Sequence, residues 1–160
     1  MLIIVIGVSG SGKSTIAKLL AEKLKINYYD ADDFHPQSNI DKMKGGNALN
    51  DTDRLPWLQL LAKKLKTWGE KDGAVLACSA LKESYRNILS EQTDQIHWVY
   101  LKGSIETIKD RIQNRKGHFM DAELLQSQFD ALEPPMYGIH VDVRDTPKQI
   151  VGLLLQELKN

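Results

Sequence analysis

Leu2-Ile3-Ile4-Val5-Ile6-Gly7-Val8-Ser9-Gly10-Ser11-Gly12-Lys13-Ser14 is the stretch that decides how this chain folds. Five apolar residues read as a buried strand. The eight residues from Gly7 fit G-x-x-x-x-G-K-[ST] at every fixed position, between that strand and an amphipathic helix. Glycines let the backbone turn tightly, so that successive N–H groups point at one anion. The helix that opens at Ser14 and Thr15 brings its positive dipole end to the same spot. Gly7, Ser9, Gly10, Ser11, Gly12, Lys13, Ser14 and Thr15 are therefore the expected phosphate-binding residues. Lys13 supplies a point charge for the outer phosphates, and the Ser14 hydroxyl is a candidate magnesium ligand. The pattern implies a nucleoside triphosphate site.

Working outward, Ser14 to Lys25 places Ile16, Leu19, Leu20 and Leu24 on one helical stripe, and a second short strand ends in Asp30-Ala31-Asp32-Asp33. Strand, loop, helix, strand begins a right-handed parallel βαβ unit. Ligands in such sheets gather beyond the carboxyl ends of the strands, so the acids should share an edge with the phosphate loop. Residues 34–54 are polar and broken, and are expected to form a substrate-side insertion with one or two short helices. A stronger helix is predicted from Leu55 to Trp68, with Pro56 in its first turn and Gly69 as its stop. Its apolar face carries Trp57 and Trp68, read as core or interface anchors. Further strands are expected at Ala74–Cys78, Ile96–Leu101 and Ile139–Val143. Helices are expected around Tyr85, after Ser104, after a cap at Asp121, and after the Thr146 to Gln149 capping pattern. Five strands alternating with helices give an α/β three-layer sandwich with a parallel sheet, in a single domain.

The whole chain bounds the function further. It has 160 residues, with 21 Lys plus Arg against 21 Asp plus Glu. No global field recruits nucleic acid or an anionic membrane surface. The single cysteine, Cys78, forms no internal disulfide, and the N-terminal apolar run is broken at Gly7, so a cytoplasmic protein without a membrane span is expected. The four histidines and Cys78 lack zinc-ligand spacing. The guanine-reading Asn-Lys-x-Asp pattern is absent, an acidic cluster follows the loop, and Arg111 and Arg115 lie four apart before Gly117-His118. Phosphoryl transfer relies on positioning and charge neutralisation, and Arg-bearing lids that exclude water supply both. These features favour a small-molecule kinase.

Several blocks resemble one family, the gluconokinases, which phosphorylate D-gluconate at its 6-hydroxyl with ATP. They are the phosphate loop, Asp30 to Pro36 with Asn39 and Lys42-Met43, Asp51-x-Asp53-Arg54-x-Pro56-Trp57-Leu58, Cys78-Ser79-Ala80-Leu81-Lys82 with Tyr85-Arg86, Arg115-x-Gly117-His118-Phe119-Met120, and Leu124 to Glu133. Ala31, Asn47-Ala48, Asp121 and Met136-Tyr137-Gly138 depart from the family pattern without removing a needed charge. The resemblance implies strand order 2-3-1-4-5, a lid over residues 111–120, ATP and magnesium as cofactors, and a homodimer for which the Trp57/Trp68 face is a candidate contact. Ser14 and Asp30 are then the expected metal side, and Asp30 or Asp32 the general base. The phosphate loop, Arg111 and Arg144 would meet the nucleotide, and Arg115 the transferred phosphoryl. For the gluconate carboxylate the candidates are Arg54, Lys82 and Arg86, with Arg54 favoured for a bidentate grip. Asp32, His35 and His118 would bind hydroxyls. Another acceptor, such as shikimate, a different sugar acid or a nucleoside monophosphate, or a non-catalytic nucleotide sensor, are the alternatives.

Overall fold

The computed structural model describes residues 1–114 and 122–159. Five strands, β1 (Leu2–Ile6), β2 (Asn27–Asp30), β3 (Ala74–Ala77), β4 (Ile96–Lys102) and β5 (Ile139–Asp142), form one sheet in the order β2-β3-β1-β4-β5. Every pairing is parallel, with β1 central between β3 and β4. This is the expected order, and the carboxyl ends of β1, β2 and β3 open on one edge.

Seven α-helices occur among the described residues: α1 (Lys13–Leu24), α2 (Gln37–Lys44), α3 (Asp51–Glu70), α4 (Glu83–Leu89), α5 (Ile105–Gln113), α6 (Ala122–Ala131) and α7 (Pro147–Leu158). Strand alternation divides the core. Ile3 and Val5 face one layer, packed with Leu20 of α1, Ile108 of α5, Leu125 of α6 and Leu154 of α7. Leu2, Ile4 and Ile6 face the other, packed with Leu58, Leu61 and Leu65 of α3 and Leu89 of α4. A strand buried on both faces reads as a continuous apolar run, which is why β1 does not alternate. None of the described helices is long and apolar enough to cross a membrane.

The 34–54 insertion is more helical than its sequence suggests. Ala31–Phe34 form a 3-10 turn, α2 begins directly after Pro36, and α3 starts at Asp51 rather than Leu55. The early start has a local cause. Asn50 accepts from the Asp53 N–H and Asp53 accepts from the Asn50 N–H, a reciprocal cap that satisfies two orphan donors. Pro56 therefore sits inside the helix, where Thr52 loses its usual amide partner. Both residues lie on the exposed side, so water can take that carbonyl. Gly69 does not stop α3. The helix runs to Glu70, and the Lys71 and Gly73 amides close its end on the Trp68 carbonyl.

Trp57 and Trp68 anchor the acidic segment from below. Trp68 stacks on Tyr29 at 3.9 Å and meets the edge of Phe34, while the Trp57 indole donates to the Ala31 carbonyl at 2.7 Å. Trp57 is buried, and Trp68 is partly buried, so both rings serve first as anchors within the chain. The expected lid lies mostly outside the described residues; Arg115, His118 and the Asp121 cap fall there, and only its first part, residues 111–114 at the end of α5, is described.

The reciprocal cap gives a direct test. Asn50→Ala should lower stability by about 1 kcal/mol and the thermal midpoint by about 2–4 °C, whereas Asn50→Asp should stay near the parent in the same calorimetric scan.

Candidate active site

The phosphate loop closes as its composition demands. Gly10 and Gly12 adopt φ of 81° and 96°, the left-handed region that disfavours side chains. A Cβ on Gly10 would sit 2.8 Å from Ile112, and one on Gly12 would sit 3.2 Å from the Arg111 guanidinium. The loop is therefore pressed against α5 and can carry no side chain at either point. Its first residue is tied to the neighbouring strand edge, since the Gly7 N–H donates to the Ser79 carbonyl at 3.4 Å.

Lys13 reaches back over this loop, and its Nζ donates to the Val8 carbonyl at 3.0 Å. Burial lowers the pKa of this ammonium, and the nearby anionic groups oppose that fall. Cys78 is also close, but burial pushes its thiol up to about 12, so at neutral pH the charges facing Lys13 are Asp32 and Asp30. A partly desolvated cation with a single backbone partner is well prepared to receive a phosphate.

The two acids are not equivalent. Each Asp30 oxygen has one partner: Oδ1 accepts from the Asp32 N–H at 2.9 Å, and Oδ2 accepts from the Tyr28 hydroxyl at 3.5 Å. Ser14 and Asp30 line the same cavity beside the loop. Hard oxygen donors brought together beside a phosphate loop suit a magnesium ion shared with phosphate oxygens. Among the described residues no cluster of three His, Cys, Asp or Glu forms a separate metal cage. The nucleotide also fits, because the buried Ser11 hydroxyl has no hydrogen-bond partner among the described residues and the loop backbone is already closed.

Asp32 instead stands in the open cavity, with its side chain 85% exposed. Its pKa is raised, first by desolvation in the cleft and then by Asp30, a push that stays modest because the side chain itself is exposed to water. His35 faces it at 3.9 Å and is itself 6% exposed, stacked on Trp57 at 4.2 Å. Burial lowers the His35 pKa, and Arg54 reinforces the effect against Asp32. Asn39, also buried, donates one amide hydrogen to the Asp53 carbonyl at 2.9 Å, which orients the amide. Its nitrogen then lies 3.3 Å from His35 Nδ1, so Nδ1 accepts and Nε2 carries the proton toward Asp32.

The cation candidates separate cleanly. Arg54 lines the cavity and is steered by the Tyr85 hydroxyl at 3.2 Å, which in turn donates to Asp51 at 2.5 Å. Lys82 is drawn to the far side of that network, 3.5 Å from Asp51, and does not line the cavity. Arg86 corrects the expectation most sharply. It is 1% exposed, and its guanidinium is spent on the Ala80, Leu81 and Glu133 carbonyls, Glu83 and the Tyr137 hydroxyl. It braces α4 and has no donor left for substrate. Arg144 is likewise engaged outside the cavity, with Nη2 2.6 Å from Asp142. Arg111 stays beside the loop, donating to the Val143 carbonyl at 2.6 Å. Thr15 is exposed on the first turn of α1.

Lys13, Ser14, Asp30, Asp32, His35 and Arg54 border a cavity of about 850 Å³ that extends to the 46–49 loop. Sequence reasoning missed Asn39 and Tyr85 as supports, and it missed Gln128, which reaches from α6 to Ser9. The one available signal for Gln128 was a polar residue set within the apolar stripe of α6.

A parallel 2-3-1-4-5 sheet with a phosphate loop after its central strand and an acceptor-sized cavity beside it defines a small P-loop kinase. Residues 9–157 match the shikimate kinase family model. A probable gluconokinase of Rattus norvegicus is 43% identical, covering 98% of this chain and 97% of that protein. The thermosensitive gluconokinase of Escherichia coli is 46% identical, covering 82% and 71%. A solved gluconokinase structure from Sinorhizobium meliloti superposes with a TM-score of 0.87 at 37% identity, covering 99% and 95%. The chain belongs to the gluconokinases of the shikimate kinase family.

The buried, neutral His35 sets a pH expectation. The unfolded chain takes up this proton near 6.5 while the folded chain resists it, so stability is lost as pH falls from 6.5 toward the depressed folded value. His35→Gln should flatten that part of the urea-midpoint profile, leaving the loss due to carboxylates at lower pH.

Proposed function

We propose that the chain transfers the terminal phosphoryl group of ATP to the 6-hydroxyl of D-gluconate, releasing ADP and 6-phosphogluconate. The observation that carries this reading is the single cavity lined by Lys13, Asp32, His35 and Arg54. It joins a phosphate-neutralising cation, a base, a hydroxyl partner and a carboxylate-binding cation, the four functions a sugar-acid kinase needs.

In this reading the loop amides and Lys13 hold the phosphate tail, and Lys13 exchanges the Val8 carbonyl for phosphate oxygen. Arg54, steered by Tyr85, pairs with the gluconate carboxylate and sets which end of the substrate faces the loop. His35 offers its Nε2–H to a substrate hydroxyl. Asp32 accepts the proton of the attacking hydroxyl as that oxygen bonds to the terminal phosphorus and the bond to the ADP oxygen breaks. Its exposed carboxylate, facing the cavity, favours it over Asp30, each of whose oxygens already accepts one hydrogen bond. A magnesium ion, held by Ser14 and Asp30, would supply neutralising charge to the phosphate oxygens when bound. The cytoplasm, suggested by the lone reduced Cys78, completes the reading.

A coupled assay for ADP with a panel of sugar acids, shikimate and nucleoside monophosphates tests it. ADP formation should require D-gluconate; intact ATP binding with no gluconate-dependent turnover would overturn the proposal. Lys13→Ala should lower kcat/KM by about 10²-fold or more. Arg54→Lys should raise the KM for gluconate by about tenfold while leaving that for ATP within about twofold.

A further inference from the structure

We infer that Gln128 is a positioning residue that holds the Val8–Ser9 peptide of the phosphate loop in its nucleotide-ready orientation. Both ends of the Gln128 carboxamide are used on one residue: Oε1 accepts from the Ser9 N–H at 2.7 Å, and Nε2 donates to Ser9 Oγ at 2.9 Å. The carbonyl of the same peptide unit, on Val8, accepts from Lys13 Nζ at 3.0 Å and from the Ser11 N–H at 3.2 Å. This peptide plane is thus gripped from opposite sides, by Lys13 and by α6.

The two grips behave differently when a phosphate arrives. Lys13 is drawn from the Val8 carbonyl toward the anion, and the Ser11 N–H is then the loop's own hold on that carbonyl. Gln128 stays neutral and anchored, because neighbouring Leu125 is buried in the core and fixes α6. The loop therefore keeps its shape while Lys13 changes partner, and nucleotide binding avoids the cost of reordering it. Leu124 and Ser127 of α6 line the same cavity, so the clamp also fixes the distance between phosphate loop and acceptor wall.

The inference rests on the kinase reading only in taking a nucleotide as the loop's ligand. Its test is calorimetric titration of magnesium-ADP into the intact chain, Gln128→Met, Ser9→Ala and the double variant. Met keeps the length and loses both hydrogen bonds, and the expected Kd is about tenfold weaker. Ser9→Ala keeps the N–H contact and should weaken binding about threefold. The double variant should be no weaker than Gln128→Met alone, because both changes remove one interaction. An unchanged or tighter Kd in Gln128→Met, or additive effects in the double variant, would overturn the inference. Ser9→Ala, a change in an accessible loop, reads half of the clamp even if Gln128→Met folds poorly. No magnesium-ADP binding by the unaltered chain would sink both this inference and the kinase reading. Binding without gluconate phosphorylation would sink the acceptor assignment alone.

Discussion

A cation placed where water is scarce governs the rest of this site. Lys13 sits at the amino end of α1, over a loop whose glycines leave no side chains to shield it, and burial works against its charge. The end of β2 brings two carboxylates near, and they oppose that effect. Those carboxylates repel each other, and the fold separates their environments. Asp30 accepts from the Asp32 amide and Tyr28, whereas Asp32 is left facing the cavity. The two carboxylates are thereby held in different environments beside one buried cation.

Holding that arrangement falls to α3. Its tryptophans clamp the segment between β2 and α2 by stacking and by one indole hydrogen bond, so the acids and His35 stand on a braced turn rather than a loose loop. The same helix carries Arg54, and its first turn holds Asp51 for the Tyr85 network that steers the guanidinium. An early helix start, set by Asn50 and Asp53, is what puts Arg54 on a rigid element. A side chain carried on a helix is positioned more precisely than one on a flexible insertion.

Much of this was legible along the chain because the controlling forces are local. The strand, loop and helix around Lys13 follow from apolar run, glycine spacing and dipole, and the apolar stripes of α3, α6 and α7 follow from helical period. The Asn50 cap was also readable, as an Asn followed three residues later by Asp, but it was overlooked in a stretch dominated by glycine and asparagine. The roles of the cations were not legible. Arg54, Lys82 and Arg86 are chemically alike on paper, and what distinguishes them is which carbonyls and acids the fold sets beside each.

The amino-acid sequence by itself determined the parallel α/β architecture, the phosphate loop and the family, since each can be read from short local patterns taken one after another along the chain. Only the tertiary structure decided that Arg86 is a brace, that Asn39 sets the proton on His35, and that Gln128 meets Ser9 across 119 positions of chain. Those outcomes depend on desolvation and on partners supplied by distant elements. Both quantities exist only once the sheet has brought its strand ends together.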